Sequence, residues 1–135
     1  MTRKNKTIMI VAMTIFAAVS LSCATDDGVM SKKKGVYTVN TTSLSQEVKG
    51  YNGPTPLVIT IEKDVVKKVE ALENSETPGF FRRVVDGGLL DKWNGKNVDE
   101  ALNSSVDAIA GATYSSNAVI ENVRLGLNYY KEHKK

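Results

Sequence analysis

Cysteine is nearly absent from this chain: Cys23 is the only one in 135 residues, so no internal disulfide can form. Histidine is as scarce. The single His133 sits in a charged tail among Lys131, Glu132, Lys134 and Lys135, and one cysteine with one remote histidine cannot assemble a zinc site. Long apolar runs are missing too. The run from Ile8 to Val19 is too short for a membrane span, which needs roughly 20 apolar residues. Several nucleotide and hydrolase signatures are absent: there is no G-x-G-x-x-G, no G-x-x-x-x-G-K-[ST], and no G-x-S-x-G. No internal repeat or low-complexity tract is present, and 135 residues give room for one domain.

What is present begins with a leader. Arg3, Lys4 and Lys6 precede the apolar run, and Ser20-Leu21-Ser22-Cys23 follows it, the layout of a secretory signal, with a retained anchor as the alternative. Cys23, after a hydrophobic run and a small residue, resembles the cysteine of a bacterial lipobox, although Ser20 stands where leucine is usual and Leu21 is one place later. An ordinary secreted protein cleaved nearby is the other reading. The lipoprotein is preferred because a lone exported cysteine has no disulfide partner. Residues 1–22 are then the signal, Cys23 carries the lipid, residues 23–35 are a tether and residues 36–135 are the folded domain. Cleavage before Cys23 leaves 113 residues and removes three positive charges, taking the formal net charge from +3 to 0. The mature chain therefore has no general basic bias, and nucleic acid is not an expected partner. Lys32-Lys33-Lys34 remains as a solvated stretch of tether, or as a weak contact for anionic headgroups.

In the folded part, Gly35 to Val39 reads as a first strand and Leu57 to Ile61 as the clearest one, with Leu57, Ile59 and Ile61 on one face. Glu62-Lys63-Asp64 turns the chain, and Val65 to Leu72 returns as a hairpin partner with Val65, Val69 and Ala71 inward and Lys67 breaking the alternation. Thr77 before Pro78 predicts a helix N-cap followed by a short helix to Val85, stopped at Gly87-Gly88. Short helical turns are expected at Leu89 to Trp93 and Asp99 to Leu102, and an extended apolar segment at Val106 to Ile109. From Ser116 onward Ile120, Val123, Leu127 and Tyr130 recur at helical spacing. The expected fold is α+β: a small antiparallel sheet with short helices and a long C-terminal helix packed across it.

The chemically distinctive stretch is Asp107-Ala108-Ile109-Ala110-Gly111-Ala112-Thr113-Tyr114-Ser115-Ser116, where small residues and four hydroxyls meet the start of the long helix. A helix N-terminus offers unpaired N–H groups and partial positive charge. Gly111 and Ala112 allow a bulky anion close to the backbone, so a phosphate near Thr113 is well placed. The charge–dipole contribution is only about 0.3–1 kcal/mol at an exposed site, so a tightly held cofactor needs a deep pocket or a covalent bond. Taken alone, Thr113, Ser115 and Ser116 are equally candidates for helix capping.

Asp107 to Thr113 resembles the flavinylation signature of the FMN-binding domain family, whose pattern is Asp, two variable residues, Ser or Thr, then Gly-Ala-Thr. The family includes the C subunit of the Na⁺-translocating NADH:quinone reductase and the G subunit of the Rnf electron-transfer complex. Its members also carry Glu-Thr-Pro-Gly upstream, matched here by Glu76-Thr77-Pro78-Gly79. The resemblance extends from about Gly35 to Tyr130 and departs at Ala110, where the pattern has a hydroxyl. It implies that an FAD-dependent flavin transferase joins FMN to Thr113 through a phosphodiester, with Asp107 part of what the transferase recognises. Gly111 and Ala112 keep the acceptor open, Ser115 and Ser116 border it, and Glu76, Thr77 and Gly79 lie on the cofactor side. Tyr114, Phe80, Phe81 and Trp93 are candidates to stack on the ring or, equally, to fill the core.

The implied protein is an exported, membrane-anchored flavoprotein of the cell envelope that passes electrons between membrane redox partners, the flavin carrying the chemistry. Two other readings stay open. One is a module that binds FMN or another phosphate ligand without a covalent bond. The other is a structural lipoprotein with no cofactor.

Overall fold

A computed structural model describes residues 24–50, 52–76 and 78–135. The expected signal, the lipid-bearing Cys23 and the Thr77 cap lie outside the described residues. Five antiparallel strands pair in sequence order: β1 (Ala24–Asp26), β2 (Met30–Lys33), β3 (Val36–Asn40), β4 (Leu57–Glu62) and β5 (Val65–Ala71). Helix α1 (Pro78–Asp86), a 3₁₀ turn at Leu89–Asp91, α2 (Val98–Asn103) and the long α3 (Thr113–His133) follow. The α+β arrangement expected from the sequence is the one observed. The stretch read as a tether differs, because Ala24–Asp26 and Met30–Lys33 form a hairpin on the edge of the sheet. Lys32 and Lys33 sit on β2, paired with β1 on one side and β3 on the other, and Lys33 and Lys34 are exposed. That is why Lys32-Lys33-Lys34 looks like solvated linker in sequence.

β4 alternates as its sequence requires, with Leu57, Ile59 and Ile61 fully buried. β5 departs from the expected inward set. Val66 and Val69 are buried, while Val65 and Ala71 are half-buried. The cause is a bulge: pairing passes from Thr60↔Lys68 to Ile61↔Val66, leaving Lys67 as the extra residue. The hairpin turn places Lys63 and Asp64 at φ 52° and 61°, both left-handed. Asp64 then holds the far end of α3, accepting from Lys134 Nζ at 2.8 Å and from the Tyr130 hydroxyl. The Lys134 ammonium, then the Tyr130 hydroxyl, holds the Asp64 carboxyl below its usual range. Burial, reinforced by the Asp64 carboxylate, pushes the Tyr130 phenol up.

α3 crosses β3 and β4, burying Val119, Val123, Leu127 and Tyr130 against the sheet. Its closest approach is at Gly126, where an added Cβ would stand 2.6 Å from Ile59 Cδ1 and 3.0 Å from Thr41 Cγ2. Beside that contact runs a buried polar link. Thr41 Oγ1 donates to Asn122 Oδ1 at 2.7 Å and accepts from the Leu57 amide at 2.9 Å. Asn122 Nδ2 donates to the Ala118 carbonyl at 2.9 Å and to Thr55 Oγ1 at 3.4 Å. Among the described residues no buried side-chain nitrogen or oxygen lacks a partner. None of their helices is long and apolar enough to cross a membrane.

The edge hairpin is tied to α3 by Asp27. Its Oδ1 accepts from the Met30 amide at 2.6 Å and the Val29 amide at 2.9 Å, and its Oδ2 from the Tyr129 hydroxyl at 2.6 Å. The Met30 amide first, then Tyr129 and the Val29 amide, lower its carboxyl to about 2.

Two measurements check this account. Asn122→Ala strips Thr41 of a buried partner and leaves a small hole, so urea unfolding should show a loss of about 2–3 kcal/mol; a change below about 0.5 kcal/mol would mean the link contributes nothing net. Asp27 has a folded-state pKa below its unfolded value, so its stabilisation is present above about pH 4 and is lost as pH falls towards about 2. An acid-unfolding series should therefore show a shallower pH dependence in that window for Asp27→Asn than for the wild type.

Candidate functional site

The segment leading into α3 has no regular hydrogen-bond ladder and is shaped by a turn. The Ala112 amide donates to the Ile109 carbonyl at 3.0 Å, closing a turn whose third residue, Gly111, has φ 81°. A positive φ at that position favours glycine. A Cβ on Gly111 would also fall 2.5 Å from Arg83 Nη1, so the guanidinium would have to shift. Asp107 is exposed, and lines a groove of about 300 Å³ together with Lys92, Lys96 and Ser105. Ala110 is exposed in the turn.

α3 starts three residues earlier than the apolar stripe predicts. Ala112 is its N-cap, with no side-chain capping bond, and Thr113 is the first helical residue. The three hydroxyls therefore divide by direction. Thr113 is exposed, whereas Ser115 and Ser116 are buried. Neither serine caps the helix. Ser116 Oγ accepts from the Ile109 amide at 3.0 Å and pins the turn to the helix. Ser115 Oγ donates to Glu76 Oε1 at 2.9 Å.

Glu76 is 5 % exposed, and its second oxygen accepts from the Asn52 amide at 2.7 Å. One carboxylate thus joins three places far apart in sequence: the loop before β4, the segment before α1 and the first turn of α3. Gly50 makes the approach possible, because a Cβ there would sit 1.5 Å from Glu76 Oε1. The turn-rich composition of residues 50–56 is visible in the sequence, but nothing in it marks Gly50 as the seat of a carboxylate 26 positions away.

Glu76 and Pro78 also border a groove of about 560 Å³ along α1, walled by Leu72, Phe81, Arg82 and Val85. Gly79 is exposed at the start of that helix. The expected ring-stacking aromatics separate. Trp93 belongs to the core at 2 % exposure and Phe81 is half-buried, whereas Phe80 and Tyr114 are 41 % and 69 % exposed. His133 is exposed and stacks on Tyr129 with ring centroids 3.9 Å apart. Among the described residues no group of three or more His, Cys, Asp or Glu side chains is placed to hold a metal ion.

Arg83 is the site residue that motif reading missed. It lies on α1 one turn beyond Gly79, and its Nη1 is 3.5 Å from the Gly111 carbonyl oxygen. Its guanidinium carbon is 5.9 Å from the centre of the Phe80 ring. Its Gly111 partner is 28 residues away on another element, so no local spacing announces it.

The arrangement offers an exposed hydroxyl at an uncapped helix start, with a guanidinium over the preceding turn and no acidic residue in the first turn of α3. Such a place accepts an anion. Comparison with known proteins agrees in kind. Residues 50–128 match the family model described as FMN-binding domain, which is more than half of the chain. The chain is 29 % identical over 97 residues to the G subunit of the ion-translocating oxidoreductase complex of Shewanella piezotolerans, covering 63 % of this chain and 46 % of that protein. It is 28 % identical over 110 residues to the G subunit of the Na⁺-translocating ferredoxin:NAD⁺ oxidoreductase complex of Acetobacterium woodii, covering 73 % of this chain and 51 % of that protein. The chain spans about half the length of these relatives.

Gly50→Ala should displace the Glu76 carboxylate and cost about 2 kcal/mol. Because both changes strike one contact, Glu76→Ala should cost much less in the Gly50→Ala background than alone. Strict additivity in urea unfolding would mean that Gly50 acts elsewhere.

Proposed function

The chain belongs to the FMN-binding domain family, and on that premise we propose that it is an exported, lipid-tethered electron carrier whose FMN is joined covalently to Thr113. The carrying observation is the placement of Thr113: exposed, first in α3, and following a turn that only glycine suits. The residues present fit the group. Gly111 leaves the backbone bare, the helix start has no side-chain cap, and the neighbouring cation is Arg83.

In the proposed modification a flavin transferase uses FAD and Mg²⁺. The Thr113 Oγ1–phosphorus bond forms, the pyrophosphate bond of FAD breaks, AMP leaves, and the threonine proton passes to solvent. An exposed threonine on a narrow turn can enter another enzyme's active site, and Asp107, also exposed, is available for that enzyme to recognise. When bound, FMN supplies electron transfer, and the protein supplies position and electrostatics. Glu76, 5 % exposed, would fix one wall of the groove beside α1 where a bound flavin would rest, and Gly79 is exposed at the start of that helix. Thr77 keeps the cofactor-side role that the family motif gives it. Ser115 and Ser116 act from behind, holding the first turn of α3 and the Gly111 turn in register.

The covalent bond matters because the grooves on this surface are shallow and a weakly held flavin outside the cytoplasm is lost by dilution. The relatives' complexes translocate ions, which requires a membrane, and this supports a location at a membrane with redox partners there. A lipid on Cys23 is the proposed tether. Ala110 supports a second reading, reversible FMN binding, because the turn lacks the hydroxyl found in the flavinylation pattern.

Co-expression with a flavin transferase should add one FMN phosphoryl to the intact mass and give a fluorescent band on a denaturing gel. Thr113→Ala should abolish both. Wild-type protein that takes up flavin yet releases all of it on denaturation would replace the covalent reading by the reversible one.

A further inference from the structure

Among the described residues Arg83 is a cation without a counter-charge. The ion pairs there are Lys68–Glu70, Arg124–Glu121, Lys131–Asp99 and Lys134–Asp64, and Arg83 enters none. Its one polar contact among them is the 3.5 Å approach of Nη1 to the Gly111 carbonyl, at the outer limit of a hydrogen bond. A guanidinium carries five N–H donors in a planar fork, so nearly all of its bonding capacity is uncommitted. It is nonetheless held in place. Its α1 backbone is anchored by the fully buried Val84, the Phe80 ring lies at 5.9 Å, and Gly111 leaves the space that its Nη1 occupies. Thr113 follows Gly111 by two residues.

We propose that Arg83 is the phosphate-holding residue of this site, its guanidinium fork binding the phosphodiester oxygens next to Thr113 while the start of α3 contributes backbone N–H groups. The proposal rests on the covalent FMN reading and deepens it. It gives the bare backbone at Gly111 a use: a Cβ there would stand 2.5 Å from Arg83 Nη1 and displace the fork from its present place. It also accounts for how a turn with Ala110 in place of a hydroxyl retains an anion site. Arg83 supplies donors from α1 that the turn itself lacks. A fork matches two oxygens of a phosphate, whereas an ammonium meets them as a point charge, so lysine should serve only in part.

The test compares wild type, Arg83→Gln and Arg83→Lys in the full chain, each co-expressed with a flavin transferase. Arg83 is exposed, so apo stability should be nearly unchanged in both variants. Three readouts are taken: flavin incorporation by intact mass, the ³¹P resonance of the phosphodiester, and the rise in Tm from apo to flavinylated protein. Arg83→Gln is expected to shift the ³¹P resonance and to remove most of the apo-to-holo Tm rise. It should also slow incorporation about tenfold, the size of one lost charge-assisted hydrogen bond. Arg83→Lys should fall between the two. A ³¹P resonance and Tm rise in Arg83→Gln equal to wild type would overturn the assignment, as would equal loss in Gln and Lys variants. Wild-type protein that takes up no flavin fails earlier, and overturns the covalent reading together with this one.

Discussion

A carboxylate taken out of water is costly unless hydrogen bonds replace its hydration, and the site depends on how Glu76 meets that constraint. Its oxygens are met by a serine hydroxyl from α3 and a backbone amide from the loop before β4. The same bonds fix the helix start relative to the loop and to α1. Without Gly50 the carboxylate has no room, and without Ser115 the first turn of α3 loses its hydroxyl bond to Glu76. The exposed Thr113 is therefore positioned by its buried neighbours two and three residues onward. The proposed acceptor sits on the outer face of the first turn and its support on the inner face.

The rest of α3 follows the same rule at a second place. Asn122 brings an amide into the core at zero exposure and finds Thr41, Thr55 and its own helix carbonyl. Apolar contacts alone leave a helix some freedom to slide over a sheet, because they are non-directional. A satisfied polar pair beside Gly126 fixes its register. The position of Thr113 is thus set from two directions, by Asn122 along the axis and by Glu76 at the end.

Much of this was legible in the sequence, and the reasons are local. The alternation of Leu57, Ile59 and Ile61, the Pro78 helix start, the Gly87-Gly88 stop and the apolar stripe through Tyr130 each carry their own signal. So does the Thr113 motif, through its resemblance to a family. What could not be read was long-range. The hairpin formed by residues 24–33 has too few apolar residues to announce itself, and its lysines look as natural in a tether as in a strand. Ser115 and Ser116 looked like capping hydroxyls because their buried partners are Glu76, 39 residues away, and the amide of Ile109, whose approach depends on the turn between them. Arg83 was passed over because its neighbour is a backbone carbonyl on another element, which no spacing rule reports. The inward set of β5 was misassigned because a bulge at Lys67 changes the parity of the strand.

The bond between Tyr129 and Asp27 has a mechanical side. It joins the incoming chain to the C-terminal end of α3, and Thr113 stands at the other end, about 24 Å away at the rise of an α-helix. The Asp27 contact and the proposed acceptor Thr113 therefore stand at opposite ends of one helix, and the length of α3 sets the distance between them.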